Sequence, residues 1–131
     1  LEFRRVLFRS IHQQICDYLK LKYPDVIFTS DASGMKTTIG LAMEIKRKKC
    51  AKYKIPDLLI LQPNKFYFGL FLEIKKSNDC VFTRKQKVRI CNHIQQQHKT
   101  LVKLRSLGYY AAFGLGFEDA KTHIDNYFAN I

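Results

Sequence analysis

Apolar positions along the chain follow two periods, one typical of helices and one typical of strands. Apolar side chains three or four residues apart predict helices, and short β-branched or aromatic runs predict strands. Helices are predicted over about residues 11–22, 37–49, 93–107 and 117–128, and strands over residues 26–29, 56–61, 66–75 and 109–113. The order α-β-α-β-β-α-β-α predicts an α/β fold, a mixed central sheet flanked by helices.

The second and third predicted strands form a hairpin around the turn at residues 62–65. A register centred on Lys65 places Asp57 opposite Glu73. Because side chains alternate along a strand, Glu73 and Lys75 project from the same sheet face. Two interpretations follow from this spacing. Either Glu73 is a buried carboxylate with a compensating partner, or the strand ends in solvent and Glu73 and Lys75 are an ordinary surface pair.

The first interpretation indicates metal chemistry. Two carboxylates side by side repel each other unless a cation lies between them, and a hard divalent ion takes oxygen ligands from such a pair. Mg²⁺ keeps several waters, one of which can act as a nucleophile. Lys75 beside such a site can orient that water and offset charge on a scissile phosphate.

Composition and charge restrict the function classes. The chain has 131 residues, 47% of them hydrophobic, and a formal net charge of +12 at pH 7. This is the composition of one globular domain and excludes a disordered tail or a collagen-like fibre. So strong a positive charge predicts an anionic partner, with nucleic acid favoured over an acidic membrane surface. No apolar stretch approaches the roughly 20 residues of a membrane span, and no predicted helix is cleanly basic and amphipathic.

Basic residues cluster on either side of the proposed carboxylate pair in the sequence. They are expected to contact phosphates, so that the protein recognises DNA shape rather than base sequence. A solvated charged surface is the alternative for such clusters. The predicted nucleic-acid-binding residues are Lys46, Arg47, Lys48, Lys49, Lys52, Lys54, Lys76, Arg84, Lys85, Lys87 and Arg89.

Other candidate sites are weaker. The four cysteines show no paired spacing, which favours free thiols in a reducing cytoplasm over zinc or disulfides. His93 and His98 are five residues apart and do not share a helix face, which argues against a two-histidine zinc site. His12 and His123 are expected to be surface or capping residues. Gly114-x-Gly116 lacks a third glycine, so no nucleotide cofactor is expected.

The first ten residues, Leu1 to Ser10, resemble the in-frame translation of a common sequencing-library adapter. Residues 1–10 are therefore expected to be an artefact, and residues 11–131 a single domain. The alternative is a genuine basic amphipathic start to the first helix.

Pro56-Asp57 followed by Glu73-x-Lys75 resembles the PD-(D/E)XK nuclease signature, and residues 11–131 resemble its VRR-NUC branch in the small phage and bacterial form. The acidic-lysine motif alone is weak, but matches occur in order along the chain. They are Tyr18-Leu19, Tyr23-Pro24, Ser30 to Gly34, Gly40-x-Ala42, Pro56-Asp57-Leu58, Gly69 to Lys75, His93-Ile94-x-x-Gln97, Leu104-x-x-x-Gly108-Tyr109, Gly116 to Ala120 and Ile124-x-x-Tyr127.

The resemblance implies a restriction-endonuclease-like fold and a DNA endonuclease that uses Mg²⁺ or Mn²⁺. It implies that Asp57 and Glu73 bind the metal with the backbone carbonyl of Ile74, and that Lys75 positions the attacking water. Gln97 is the best match to a glutamine near that centre, since Gln95 and Gln96 fall on other helix faces. Branched DNA substrates, a homodimer and the cytoplasm of a bacterial or phage-infected cell are further implications.

Two departures from the family's pattern concern the site. The family places an acidic residue at the position of Phe8, inside the suspected adapter, and many relatives carry glycines where this chain has Cys50 and Lys54. The loss of one acid leaves a second function open, a nucleic-acid-binding domain that keeps the nuclease fold without cutting.

Overall fold

The computed structural model describes residues 10–30 and 38–131. Phe8 and most of the predicted turn at residues 30–34 therefore lie outside the described residues. The helices are α1 (Ile11–Lys22), α2 (Ile39–Arg47), α3 (Asn92–Ser106) and α4 (Phe117–Phe128), and the strands are β1 (Phe28–Ser30), β2 (Leu58–Ile60), β3 (Leu70–Lys75) and β4 (Tyr110–Leu115). The predicted order of helices and strands is confirmed.

The four strands form one mixed sheet in the order β1-β2-β3-β4. β1 pairs with β2, and β2 with β3, in antiparallel orientation, whereas β3 and β4 run parallel. The parallel pair is joined by a crossover that contains α3, as parallel pairing requires. In the β2–β3 hairpin Leu58 pairs with Leu72 and Ile60 with Leu70, so the predicted register centred on Lys65 is confirmed.

Alternation along the strands divides the core into two layers. One face of the sheet packs against α1 and α4, and the other packs against α3 and the segment before it. The first layer contains Ile15, Leu19, Leu58, Ile60, Leu70, Leu72, Ala120, Ile124 and Tyr127. The second contains Phe71, Val81, Ile94, Leu101, Ala111 and Phe113. Glu73 and Lys75 share the parity of Phe71, so both belong to the face that α3 covers.

Local hydrogen bonds set where the elements begin and end. The Ser10 hydroxyl accepts from the Gln13 backbone N–H and caps α1, and Thr38 caps α2 in the same way. After α3 the chain turns at Gly108, whose φ of +96° suits glycine, and the Phe68 ring occupies the space where a Cβ would lie. These caps explain why the helix boundaries follow the sequence closely.

Two predictions differ from the structure. The strand predicted over residues 66–75 begins only at Leu70, because the Asn64 side chain accepts the backbone N–H groups of Phe66 and Tyr67 and holds them in the turn. The apolar side predicted for α2 is also left without cover. Within the described chain α2 has no buried residue, and Ile39 is 83% exposed.

Two further observations concern the whole described chain. Across residues 10–30 and 38–131, no helix is long and apolar enough to cross a membrane. Cys16, Cys50, Cys80 and Cys91 are free thiols.

Candidate active site

Glu73 lies in the central strand β3 and is only 3% exposed. Its partner comes from α3, where the Gln97 side-chain Nε2 donates to Glu73 Oε1 at 2.8 Å. Gln97 is itself 2% exposed. The interpretation of Glu73 as a buried carboxylate with a partner is therefore correct, and the alternative of a solvated strand end is wrong.

Asp57 directly precedes β2 and continues the hairpin register opposite Glu73. Its Oδ2 accepts a 2.9 Å hydrogen bond from the backbone N–H of Ile74, so the side chain is fixed to β3. His12 of α1 lies on the other side, with its Nε2 3.5 Å from the same oxygen. Asp57 is thus held between strand and helix, close to the buried carboxyl group of Glu73.

The environment separates the protonation states of the two acids. Burial and the negative charge of Asp57 raise the pKa of Glu73 to about 8, although Lys75 and Lys54 oppose this. Burial also acts to raise the pKa of Asp57, but hydrogen bonds from His12, Glu73 and the Ile74 N–H outweigh it and hold that pKa below its usual value. At neutral pH Asp57 is ionised while Glu73 retains a proton. A cation between them would displace that proton.

The side chain of Gln97 carries an oxygen atom without a hydrogen-bond partner. Its Oε1 is buried and has no hydrogen-bond partner among the described residues. Its Nε2 lies 3.1 Å from Nε2 of His93, one turn earlier in α3. Burial lowers the pKa of His93, and the positive charges of Lys54 and Lys75 lower it further, so a neutral ring accepts this bond. An orphaned amide oxygen is unusual inside a fold and indicates a site for an external partner.

The neighbouring glutamines are engaged elsewhere. Gln95 Nε2 donates to the backbone carbonyl of Arg89, and Gln96 is exposed on α3. Lys75 is half-buried at the end of β3, and its charge acts on both Glu73 and His93. The structure therefore brings Asp57, Glu73, Gln97 and Lys75 together. The role predicted for the Ile74 carbonyl stays a prediction.

The donor set fits a hard divalent cation. Within residues 10–30 and 38–131, no three His, Cys, Asp or Glu side chains are grouped to hold a metal. Mg²⁺, however, is often bound through only one or two carboxylates and keeps its other ligands as water. Asp57 and Glu73 supply that pair, and the free Gln97 oxygen adds a neutral oxygen donor nearby.

The predicted nucleic-acid-binding residues are all exposed. Lys46 and Arg47 end α2, four more lysines lie between α2 and Asp57, and the others follow Glu73 along the chain. Of these side chains, Lys54 is shown to act on the site, because its charge lowers the pKa of both Glu73 and His93. Contact of the remaining side chains with DNA stays a prediction.

Sequence reasoning missed the contacts of two histidines. His12 is expected to be a surface or capping residue, and its side chain is 36% exposed, but it also contacts Asp57. That contact joins residues 45 positions apart, and no local pattern signals it. His93 is different, because its spacing of four from Gln97 on a helix predicts that the two side chains meet.

The fold has a counterpart among solved structures. No family model and no curated protein matches the sequence. A solved structure described as a VRR_NUC domain protein superposes with a TM-score of 0.62 at 20% identity, covering 91% of this chain and 85% of that one. The predicted fold class is confirmed. At this identity the likeness shows that the chain shares the mixed α/β fold of that protein, and function must be argued from the site.

Proposed function

We propose that the protein is a metal-dependent nuclease that hydrolyses phosphodiester bonds in DNA. The observation that carries this proposal is the buried carboxyl group of Glu73 beside ionised Asp57, fixed by the hairpin register. Burial of a second acid next to a first is costly, and a bound cation offsets the cost. The likeness to a VRR_NUC domain protein supports the same proposal.

Asp57 and Glu73 are the proposed ligands of Mg²⁺ or Mn²⁺, with the Ile74 carbonyl as a further ligand. When bound, the ion supplies Lewis acidity and lowers the pKa of a coordinated water. The Ile74 N–H orients the Asp57 carboxylate through its 2.9 Å hydrogen bond. Gln97 orients Glu73 through its amide, so both proposed ligands are held in place by neighbours.

The lysines act on the substrate. Lys75 and Lys54 both place positive charge near Glu73. Their proposed role is to attract the scissile phosphate and to stabilise the negative charge that develops on it. Lys75 also positions the attacking water in this proposal. The other exposed basic residues bind the DNA backbone, which makes affinity fall as salt rises. Branched DNA as substrate, a homodimer and a bacterial or phage-infected cytoplasm belong to the same proposal.

One observation favours a second function. No third acidic ligand is grouped with Asp57 and Glu73 in the described part of the chain, and Phe8 stands where the resemblance implies an acid. A chain with this deficit is proposed to bind DNA without cutting it.

The test compares the protein as given with a Phe8→Glu variant. Each is incubated with single-stranded, duplex, flap and four-way DNA in Mg²⁺, Mn²⁺ or EDTA. Glu73→Gln serves as the site control, and Asp125→Asn, a carboxylate remote from the site, serves as the matched control. Nuclease function predicts metal-dependent nicking that is lost by at least about 100-fold in Glu73→Gln and retained in Asp125→Asn.

Each outcome separates the two functions. Activity that rises in Phe8→Glu shows that the position contributes a working acid. Salt-sensitive DNA binding with no cleavage in either protein rejects the nuclease and supports the binding domain. Nicking that persists in EDTA, or in Glu73→Gln, rejects Asp57 and Glu73 as the metal site.

A further inference from the structure

A cavity of about 240 Å³ lies beside Asp57, where β1 and β2 meet the segment that leads into β2. Asp57 lines this cavity, and its carboxylate also accepts the Ile74 N–H in the candidate active site. The cavity and the site therefore share a wall. Whatever occupies the cavity lies directly next to Asp57, one of the proposed metal ligands.

The cavity is lined by both apolar and hydroxyl-bearing residues. Ile55, Pro56 and Leu59 are the apolar ones, and Thr29 and Ser30 come from β1. Thr29 pairs with Leu59 in the sheet register, which places their side chains side by side on one face. This lining suits a flat ring, which packs its face against carbon and directs its polar edge toward hydroxyls.

Size limits the occupant. A volume of about 240 Å³ lies below the roughly 300–1,000 Å³ of pockets for drug-sized ligands. One ring system fits this space, and an oligonucleotide does not. Lys49 also lines the cavity, at the end of the basic run that follows α2. A cation there favours a ring that carries a phosphate.

We propose that the cavity receives one unstacked nucleobase, from a nucleotide adjacent to the scissile phosphate. This inference rests on the proposed nuclease function and specifies its substrate. Removing a base from the stack costs free energy in a paired duplex and costs least where the base is already unpaired. The cavity therefore selects DNA with a free base at a flap, gap or mismatch over continuous duplex.

Cavity-filling variants test the proposal. Ile55→Trp places an indole in the cavity, and Leu61→Trp adds the same side chain at an exposed position outside the cavity lining. Thr29→Val removes a hydroxyl while keeping the side-chain shape. The melting temperature of each variant shows whether it is folded. The DNAs are flaps in which one nucleotide at a time, near the mapped cleavage position, is replaced by 2-aminopurine or by an abasic analogue.

The proposal predicts a roughly 10- to 100-fold loss of kcat/KM in Ile55→Trp, because a misplaced phosphate slows reaction steeply. An abasic nucleotide at one position restores cleavage in this variant, since no base then needs the cavity. Leu61→Trp behaves as wild type. Thr29→Val alters the preference among bases but not the cleavage of abasic DNA.

A binding readout separates this inference from the nuclease proposal. With Ca²⁺ in place of Mg²⁺, 2-aminopurine at one position should brighten several-fold on binding wild-type protein but not Ile55→Trp. Wild-type protein that binds without cleaving any DNA overturns the nuclease function, while this fluorescence still tests the cavity. Cleavage with no brightening at any position, and with Ile55→Trp equal to Leu61→Trp, overturns the cavity assignment alone.

Discussion

The fold shifts the pKa values of two carboxyl groups, Asp125 and Glu73, in opposite directions. Asp125 of α4 accepts hydrogen bonds from Tyr18 Oη at 2.6 Å, from Tyr23 Oη at 2.8 Å and from Lys22 Nζ at 3.1 Å. Burial alone would raise its pKa, but these three donors outweigh it and hold the pKa below the usual value. Glu73 has one amide donor, and burial raises its pKa to about 8.

The difference distinguishes an acid that stabilises the fold, Asp125, from an acid that can bind a further partner, Glu73. Asp125 ties α4 to α1 and is stabilised in its charged form by the chain itself. Glu73 is deeper in the protein, faces the charge of Asp57 and is left with a proton that a divalent cation would replace. Perturbed acids of this second kind concentrate at functional sites.

The sharpest test of the comparison is catalytic. Glu73→Gln should lower metal-dependent cleavage by at least about 100-fold, because a neutral amide binds Mg²⁺ far more weakly than a carboxylate. Asp125→Asn should leave kcat/KM of the folded protein unchanged. Initial rates on flap DNA, corrected for the folded fraction, measure both. Equal losses in the two variants would remove the distinction between the two acids.

The second largest effect is expected when Gln97, which orients Glu73, is replaced. Gln97→Leu removes the 2.8 Å hydrogen bond and the orphaned oxygen at nearly constant volume. Metal affinity should weaken by roughly 10- to 100-fold, as is typical when a group that orients a ligand is lost. Gln96→Leu on the exposed face of α3 is the matched control. Titration calorimetry with Mn²⁺ measures both, and an unchanged affinity in Gln97→Leu would contradict the predicted role.

The two acids should also differ in how pH affects stability. The raised pKa of Glu73 contributes stability that is present below its unfolded pKa and is lost as pH rises through about 8. In EDTA at pH 9, Glu73→Gln should therefore melt on the order of 5 °C above wild type. Excess Mg²⁺ should raise the Tm of wild type and reverse this order, since it binds only the intact pair. Calorimetric scans across pH measure the effect, and a pH-independent gap would contradict it.

Asp125 should show the opposite and smaller trend. Asp125→Asn should lower the free energy of unfolding by about 1–2 kcal/mol at pH 7, because three donors lose an ionised acceptor. Since the pKa of Asp125 is lowered on folding, the gap is present above its unfolded pKa and closes as pH falls through the folded pKa. Urea unfolding at several pH values measures it. Asp17→Asn in α1 controls for the loss of a helix charge.

Local pattern was sufficient for much of the fold and for part of the site. The hairpin register followed from the turn around Lys65, and Glu73 and Lys75 were assigned to one face by alternation alone. Strand ends were less predictable, because the Asn64 side chain competes with the ladder for the backbone of Phe66 and Tyr67. Alternation does not decide whether Glu73 is buried, since that depends on how α3 covers β3.

Contacts between distant segments account for what the sequence did not predict. The approach of His12 to Asp57 depends on how α1 crosses the sheet. The absence of buried residues in α2, within the described chain, is equally invisible to helical periodicity, which reports which side is apolar but not whether anything covers it.

The parallel pairing of β3 with β4 has a consequence for how the molecule is made. Leu70 pairs with Tyr110 and Lys75 with Leu115, so the strand that carries Glu73 gains its second neighbour only after the crossover is in place. The chain between β3 and β4 must close into a loop before the contacts between these strands can form. This order of events slows folding. During synthesis on the ribosome, a nascent chain that has not yet exposed β4 is therefore expected to hold Glu73 on an edge strand, beside Asp57 but without the neighbour that Phe113 provides. The surroundings of Glu73 are therefore complete only once β4 has joined the sheet.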